Sequence, residues 1–204
     1  MNIKKGYDYT YFRLVFDYHR DNYYWMNSTP LKKLRGETFM LNWLRTSKIT
    51  MGIITIFRVY LGFKWATSGW QKVTGTFSAK EMIQGAIESP VLDDAGVNAY
   101  PWYTDFLEEF VLPNIELFDF MVSWGELLVG LGLIFGTLTT AAAFFGLLMN
   151  FSYLLAGTVS INPTFILIQF FILVAGFNAG KIGLDYWVIP FLSNKIPFLK
   201  ADRK

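Results

Sequence analysis

Residues 124–157 read WGELLVGLGLIFGTLTTAAAFFGLLMNFSYLLAG. The stretch is too apolar for the surface of a soluble domain, and Gly136-Thr137 interrupts it in the middle. This predicts two membrane-spanning helices joined by a tight turn. One acid, Glu126, lies inside the first of them. An ionisable side chain at membrane depth is costly, and by default it marks a functional site with a partner elsewhere in the chain.

Composition agrees with a membrane protein. The chain has 204 residues, 53% of them hydrophobic and 19% aromatic, with 17% charged. Soluble domains usually carry about 25% charged residues. There is no cysteine, which excludes disulfides, thiol chemistry, iron–sulfur clusters and thiolate zinc sites. The single histidine, His19, lies outside the apolar segments, so haem is not expected. No metal-ligand cluster, nucleophile–base pair or nucleic-acid surface is evident. The first 45 residues lack the apolar core of a cleavable signal peptide.

Working outward, the first span is expected over 49–70, the second over 116–136, the third over 138–157 and the fourth over 163–180. At 1.5 Å per residue, the first of these covers about 33 Å, enough for a hydrocarbon core of about 30 Å. Trp65 and Trp70 suit interfacial anchoring, and Lys64 can snorkel outward. Residues 1–48 read as a basic, tyrosine-rich extension. Phe39, Met40, Trp43 and Leu44 form one face of a short amphipathic helix before the first span. Residues 49–190 form the membrane domain, and 191–204 a basic tail. The connection 71–115 contains two short amphipathic segments. The first opens at Ser78-Ala79-Lys80-Glu81, a capping-box pattern; the second covers 102–112. Gly132-x-x-x-Gly136 and Gly176-x-x-x-Gly180 read as helix-packing surfaces.

Charge sets the expected topology. Nine Lys and Arg precede Ile49 and five follow Gly180, whereas residues 71–119 hold two lysines and nine acids. The positive-inside rule then puts both termini in the cytoplasm, which agrees with four spans.

Counting depth from the expected cytoplasmic end of each span places Arg58, Glu126, Gln169 and Asn150 at roughly 14, 15, 17 and 18 Å. One polar residue from each helix would thus meet near the midplane. Such a layer is consistent with a buried Arg58–Glu126 ion pair that fixes the register of the bundle. It is equally consistent with a pocket for a polar head group entering from lipid, such as a quinone ring, with Arg58, Asn150 and Gln169 as donors and Glu126 as proton carrier. Lys72 and Asn162 are further candidate ligand contacts near the outer face. Lys72 also suits a lipid head group, and Asn162-Pro163 suits a helix start. Residues 178–185 read as a glycine-broken turn.

These motifs resemble the DoxX/DoxD family of small bacterial membrane proteins. The resemblance runs through Arg58-x-x-Leu61-Gly62, Ser68-Gly69-x-x-Lys72, Gly125-Glu126-x-x-x-Gly130 and Gly136-x-x-Thr139. It continues through Asn150, Ala156-Gly157-x-x-Ser160-x-Asn162-Pro163, and Ala175-Gly176-x-Asn178-Ala179-Gly180-x-x-Gly183-Leu184-Asp185. It implies a four-helix, multi-pass protein of the bacterial cell membrane. It also implies a quinone-linked oxidoreductase subunit of the thiosulfate:quinone type, working with a soluble redox partner, with Arg58 and Glu126 as site candidates. The alternative is a non-enzymatic carrier, or an accessory or assembly factor of a redox-protective complex. A second copy of the chain is a further candidate partner.

Overall fold

A computed structural model describes residues 31–195, the side chains of 31–38 and 194 excepted. The tyrosine-rich segment before Leu31 and the end of the basic tail lie outside the described residues. Those that are described are almost wholly helical, with one isolated bridge between Leu92 and Asn98.

Helix α1 (Leu31–Thr46) leads into α2 (Lys48–Thr74) through Ser47, whose hydroxyl accepts from Ile49 N at 3.2 Å. Helix α3 (Lys80–Glu88) follows. Its expected Ser78–Glu81 capping box is not formed. Ser78 Oγ accepts from Lys80 N at 3.3 Å, and Asp119, from a later helix, takes Ala79 N at 2.7 Å. Helix α4 (Pro101–Phe106) then runs without a break through a π turn (Leu107–Val111) and a 3-10 turn (Leu112–Asn114) into α5 (Ile115–Phe135). The expected separation of a 102–112 segment from a span at 116 is therefore corrected. Pro113 has no N–H and its ring crowds the carbonyl four residues back. The widened turn, in which Leu112 N bonds Leu107 O, absorbs it.

Gly136 ends α5 in the left-handed conformation, at φ 64°. Helices α6 (Thr139–Leu155) and α7 (Asn162–Ala175) follow. The fourth apolar segment is not continuous to Gly180. It breaks at Gly176 (φ 55°, ψ −130°), a backbone state closed to residues with a Cβ, and resumes as the short α8 (Phe177–Gly180). Helix α9 (Asp185–Lys195) follows.

The closest packing joins α2 to α5. A Cβ on Gly130 would lie 2.2 Å from Ala66 N, and one on Gly69 would lie 2.3 Å from Leu127 N. Backbone meets backbone here, as small residues permit in apolar helix pairs. The expected small-residue surfaces behave differently. Gly132 packs on Ala142, whereas Gly176 faces open space.

The exterior is rich in large apolar side chains, and several polar side chains are buried beside the apolar core. Arg58, Glu126, Asn150, Gln169 and Asn178 are buried, together with Leu61, Leu133 and Ala143. Phe57, Phe63, Phe120, Leu128, Phe145, Phe151, Leu167 and Phe170 point outward. An apolar exterior around a core that also encloses several polar side chains suits lipid as the solvent. Lys48–Thr74 and Pro101–Phe135 are long and apolar enough to cross a membrane; α6 and α7, at 17 and 14 residues, are apolar but shorter. Helix α1 is more than an appended segment. Asn178 Nδ2 donates to Leu44 O at 2.9 Å, Arg45 Nε donates to Val174 O at 3.1 Å, and Leu44 is buried; Phe39, Met40 and Trp43 remain exposed.

Candidate functional site

Glu126 is the centre of the most highly connected polar cluster. Its Oε1 lies 2.5 Å from Lys72 Nζ and accepts from Tyr153 OH at 2.7 Å, while Oε2 accepts from Ser68 Oγ at 2.7 Å. Ser68 and Lys72 are one turn apart on α2, so they share a face. Glu126 comes from α5 and Tyr153 from α6. The carboxylate is 3% exposed and the lysine side chain 22%, so Lys72 is the member of the pair that reaches the surface. The ammonium also sits 4.7 Å from the Phe77 ring centroid and 5.9 Å from that of Tyr153, a favourable setting for a partly desolvated cation.

The expected Arg58–Glu126 pair does not form. Arg58 donates to Ala179 O at 3.1 Å and Ile182 O at 2.6 Å, near the α5–α6 turn. The register of α2 on α5 explains this. Gly69 lies against Leu127, Ala66 against Gly130 and Gly62 against Ile134. Continuing that antiparallel register brings Arg58 beside the Gly136–Leu138 turn and sets Ser68 and Lys72 beside Glu126. The single polar layer therefore splits, because the start of α2 extends well past the end of α5.

Asn150 and Gln169 do meet. Asn150 Nδ2 donates to Gln169 Oε1 at 2.6 Å, and both residues are fully buried. Gly146 makes room for the glutamine, since a Cβ there would lie 2.4 Å from Gln169 Nε2. Asn162 is buried, yet it does not cap α7. Its Nδ2 folds back onto Thr158 O at 2.7 Å and closes the α6–α7 turn instead.

Between these groups lies a cavity of about 290 Å³, walled by α2, α5, α6, α7 and the Thr158–Ile161 turn. Its lining includes Glu126, Lys72, Ser68, Tyr153, Asn150 and Asn162 beside apolar Trp65, Val122 and Phe165. Two lining residues carry buried polar atoms without a hydrogen-bond partner, Trp65 Nε1 and Asn150 Oδ1. Such groups cost on the order of 1–3 kcal/mol each when left unpaired. Four of the six sequence candidates thus line one cavity; Gln169 stands behind Asn150, and Arg58 lies elsewhere. Sequence reasoning did not assign Ser68, Tyr153 or Trp65 to the site. The signal was present: Trp65, Ser68 and Lys72 recur at helical spacing, as do Asn150 and Tyr153.

Asp185, also unassigned, closes the opposite end. Its carboxylate accepts from Leu138 N at 2.6 Å and Thr139 N at 2.9 Å. It thereby caps α6 from a distant part of the chain and holds Leu138 at φ 49°. Among the described residues no group of acids and histidines is arranged to hold a metal ion.

Comparison with known proteins places these features in a family. The DoxX family model matches residues 53–158, which include Arg58, Ser68, Lys72, Glu126, Asn150 and Tyr153. Neither the curated proteins nor the solved structures contain a match to the chain.

Proposed function

This chain belongs to the DoxX family of membrane proteins, and from that premise we propose that it is the membrane subunit of a quinone-linked oxidoreductase, with the quinone head group bound in the Glu126 cavity. The observation that carries this reading is the cavity itself: mainly apolar, yet holding a buried carboxylate and two buried polar atoms without partners. Its volume of about 290 Å³ is at the lower end of the roughly 300–1,000 Å³ typical of small-molecule sites. That suits a single substituted ring whose isoprenoid tail remains in lipid. Trp65 Nε1 is a donor for one ring carbonyl, and Asn150 Oδ1 is an acceptor for a ring hydroxyl formed on reduction, while the Ser68 and Tyr153 hydroxyls are donated to Glu126.

Reduction of the ring takes up electrons and protons together. Both ring oxygens are protonated on the way to the quinol, and Glu126 relays each proton in turn inside the cavity. Lys72, the more exposed member of the pair, links that carboxylate to the surface. The electrons come from a soluble partner, with thiosulfate as the donor suggested by the family resemblance. We further propose four crossings with both termini inside. Helix α6, at 17 residues, meets the lower limit for a span. Helix α7 together with α8 completes the fourth, and the excess of Lys and Arg at both ends of the chain sets the orientation.

The test is the amount of quinone extracted per mole of protein purified in mild detergent, from wild type and Glu126→Gln. The reading expects near-stoichiometric quinone in the wild type and at least a severalfold loss in the folded variant. Wild-type protein free of quinone, and unable to take it up when supplied, would refute the reading and leave a carrier or assembly role.

A further inference from the structure

A shallow, open cleft, of about 670 Å³, lies where α2 passes the α5–α6 turn and the Lys181–Leu184 connection. Arg58 lines it, with Lys181 as a second cation; Val59, Phe135 and Leu184 are among its apolar walls. Arg58 is 1% exposed. Its charge meets backbone carbonyls, at Ala179 and Ile182, and its Nε is buried without a hydrogen-bond partner. Carbonyl dipoles hold only partial charge against a full positive one. Asp185 is the nearby carboxylate, and both of its oxygens are engaged by Leu138 N and Thr139 N. Among the described residues no carboxylate lies within 4.0 Å of Arg58; the ion pair at that range is Lys72–Glu126.

The backbone is built around this guanidinium. A Cβ at Gly136 would stand 2.1 Å from Arg58 Nη1, and one at Gly183 would stand 3.0 Å from it. Two loop segments are kept bare so that a buried cation fits beside a cleft. Guanidinium groups recognise phosphate through several parallel N–H donors. Lys181, exposed at the cleft, adds a second cation, whose ammonium sits 5.7 Å from the Phe177 ring centroid. Tyr186 and Trp187, 59% and 65% exposed, complete the lining with rings of the amphipathic type found at lipid head-group level.

We propose that this cleft is a binding site for the phosphate of an anionic phospholipid, with Arg58 and Lys181 on the head group and the apolar wall against the start of the acyl chains. A basic pocket beside membrane helices is the expected chemistry for such a head group. A free phosphate ion would use the same two cations but would gain nothing from Val59, Phe135 and Leu184. The lipid is therefore the occupant that fits the whole cleft.

The test uses the full chain purified in an uncharged detergent. Native mass spectrometry with added phosphatidylglycerol or phosphatidylcholine measures lipid retention, and thermal unfolding is followed with each lipid and with inorganic phosphate. The expected result is preferential retention of phosphatidylglycerol, with a rise in Tm that inorganic phosphate does not reproduce. Lys181→Ala should weaken that retention about fivefold, whereas Lys80→Ala, which removes the same charge from α3, should leave it unchanged. Arg58→Lys should lose the preference while keeping its helical circular dichroism; if it fails to fold, Lys181→Ala still decides. Equal retention of both lipids, or a preference untouched by Lys181→Ala, would overturn the proposal. An equal Tm rise with inorganic phosphate would overturn it in favour of a free-anion site.

Discussion

Lys72 and Glu126, 54 residues apart in the chain, meet at 2.5 Å and tie α2 to α5 at the edge of the cavity. The two members are unequally buried, the carboxylate at 3% exposure and the lysine at 22%. Removing the lysine therefore strands a buried charge, while removing the acid leaves a cation that can reach water. Lys72→Ala should be the more destabilising change, by about 3 kcal/mol, with Glu126→Gln costing less. The double variant should recover part of the loss. Denaturation in detergent of all four proteins gives the coupling, and simple additivity would argue that the pair is not formed.

Trp65 separates binding from folding. Its indole packs at 6.3 Å, centroid to centroid, on Phe165, while its N–H has no partner. Trp65→Phe retains an aromatic ring and deletes only an unpaired donor along with some volume. Quinone affinity should fall about two- to tenfold, the value of one hydrogen bond, with unfolding stability changed by no more than about 1 kcal/mol. Equal affinity in the variant would remove Trp65 from the site.

The α2–α5 seam admits no added atoms. At Gly130 the obstruction is the backbone of Ala66, which cannot swing aside as a side chain would. Gly130→Ala should cost about 1–3 kcal/mol or more. Gly85→Ala, on α3 with open space around the site, should be neutral or stabilising by up to about 1 kcal/mol. A comparison of melting temperatures checks both, and equal effects would contradict the register described for α2 on α5.

Asp185 is a distant cap for α6. Asp185→Ala removes the acceptor for Leu138 N and Thr139 N, so it should cost about 2 kcal/mol. Asp185→Asn keeps an acceptor and should cost less. Thermal unfolding of the two variants gives the order, and a harmless Asp185→Ala would mean that Leu138 holds its left-handed conformation unaided.

Much of this was legible beforehand. The apolar run from Trp124 to Gly157 and the break at Gly136 marked α5, α6 and their turn, because a left-handed helix end favours glycine. Equal depth put Asn150 and Gln169 in one layer, but that they bond each other rather than Arg58 or Glu126 is seen only in the structure. What depth alone could not supply was register. Arg58 and Glu126 were both counted from nominal helix ends, yet α2 begins ten residues before Arg58 and continues to Thr74. A helix that overshoots its neighbour shifts every level along it. The side chains that hold Glu126 were recoverable from spacing, since Ser68 and Lys72 share a helical face. Asp185 was not, because a cap supplied by a later segment leaves no local pattern at the helix it caps. The route of residues 101–135 was hidden for a related reason: Pro113 signals a break, and only the widened turn before it keeps the helix running.

The central claim is that a quinone ring sits beside Glu126. Labelling the purified protein with a photoreactive azidoquinone, followed by peptide mapping, tests it most directly. The account predicts cross-links within Lys64–Lys72 of α2 and Asn150–Phe165 of α6, the α6–α7 turn and α7, reduced when unlabelled quinone competes and when Glu126 is changed to Gln. Labelling confined to the Arg58 cleft, or scattered labelling that unlabelled quinone does not suppress, would contradict it.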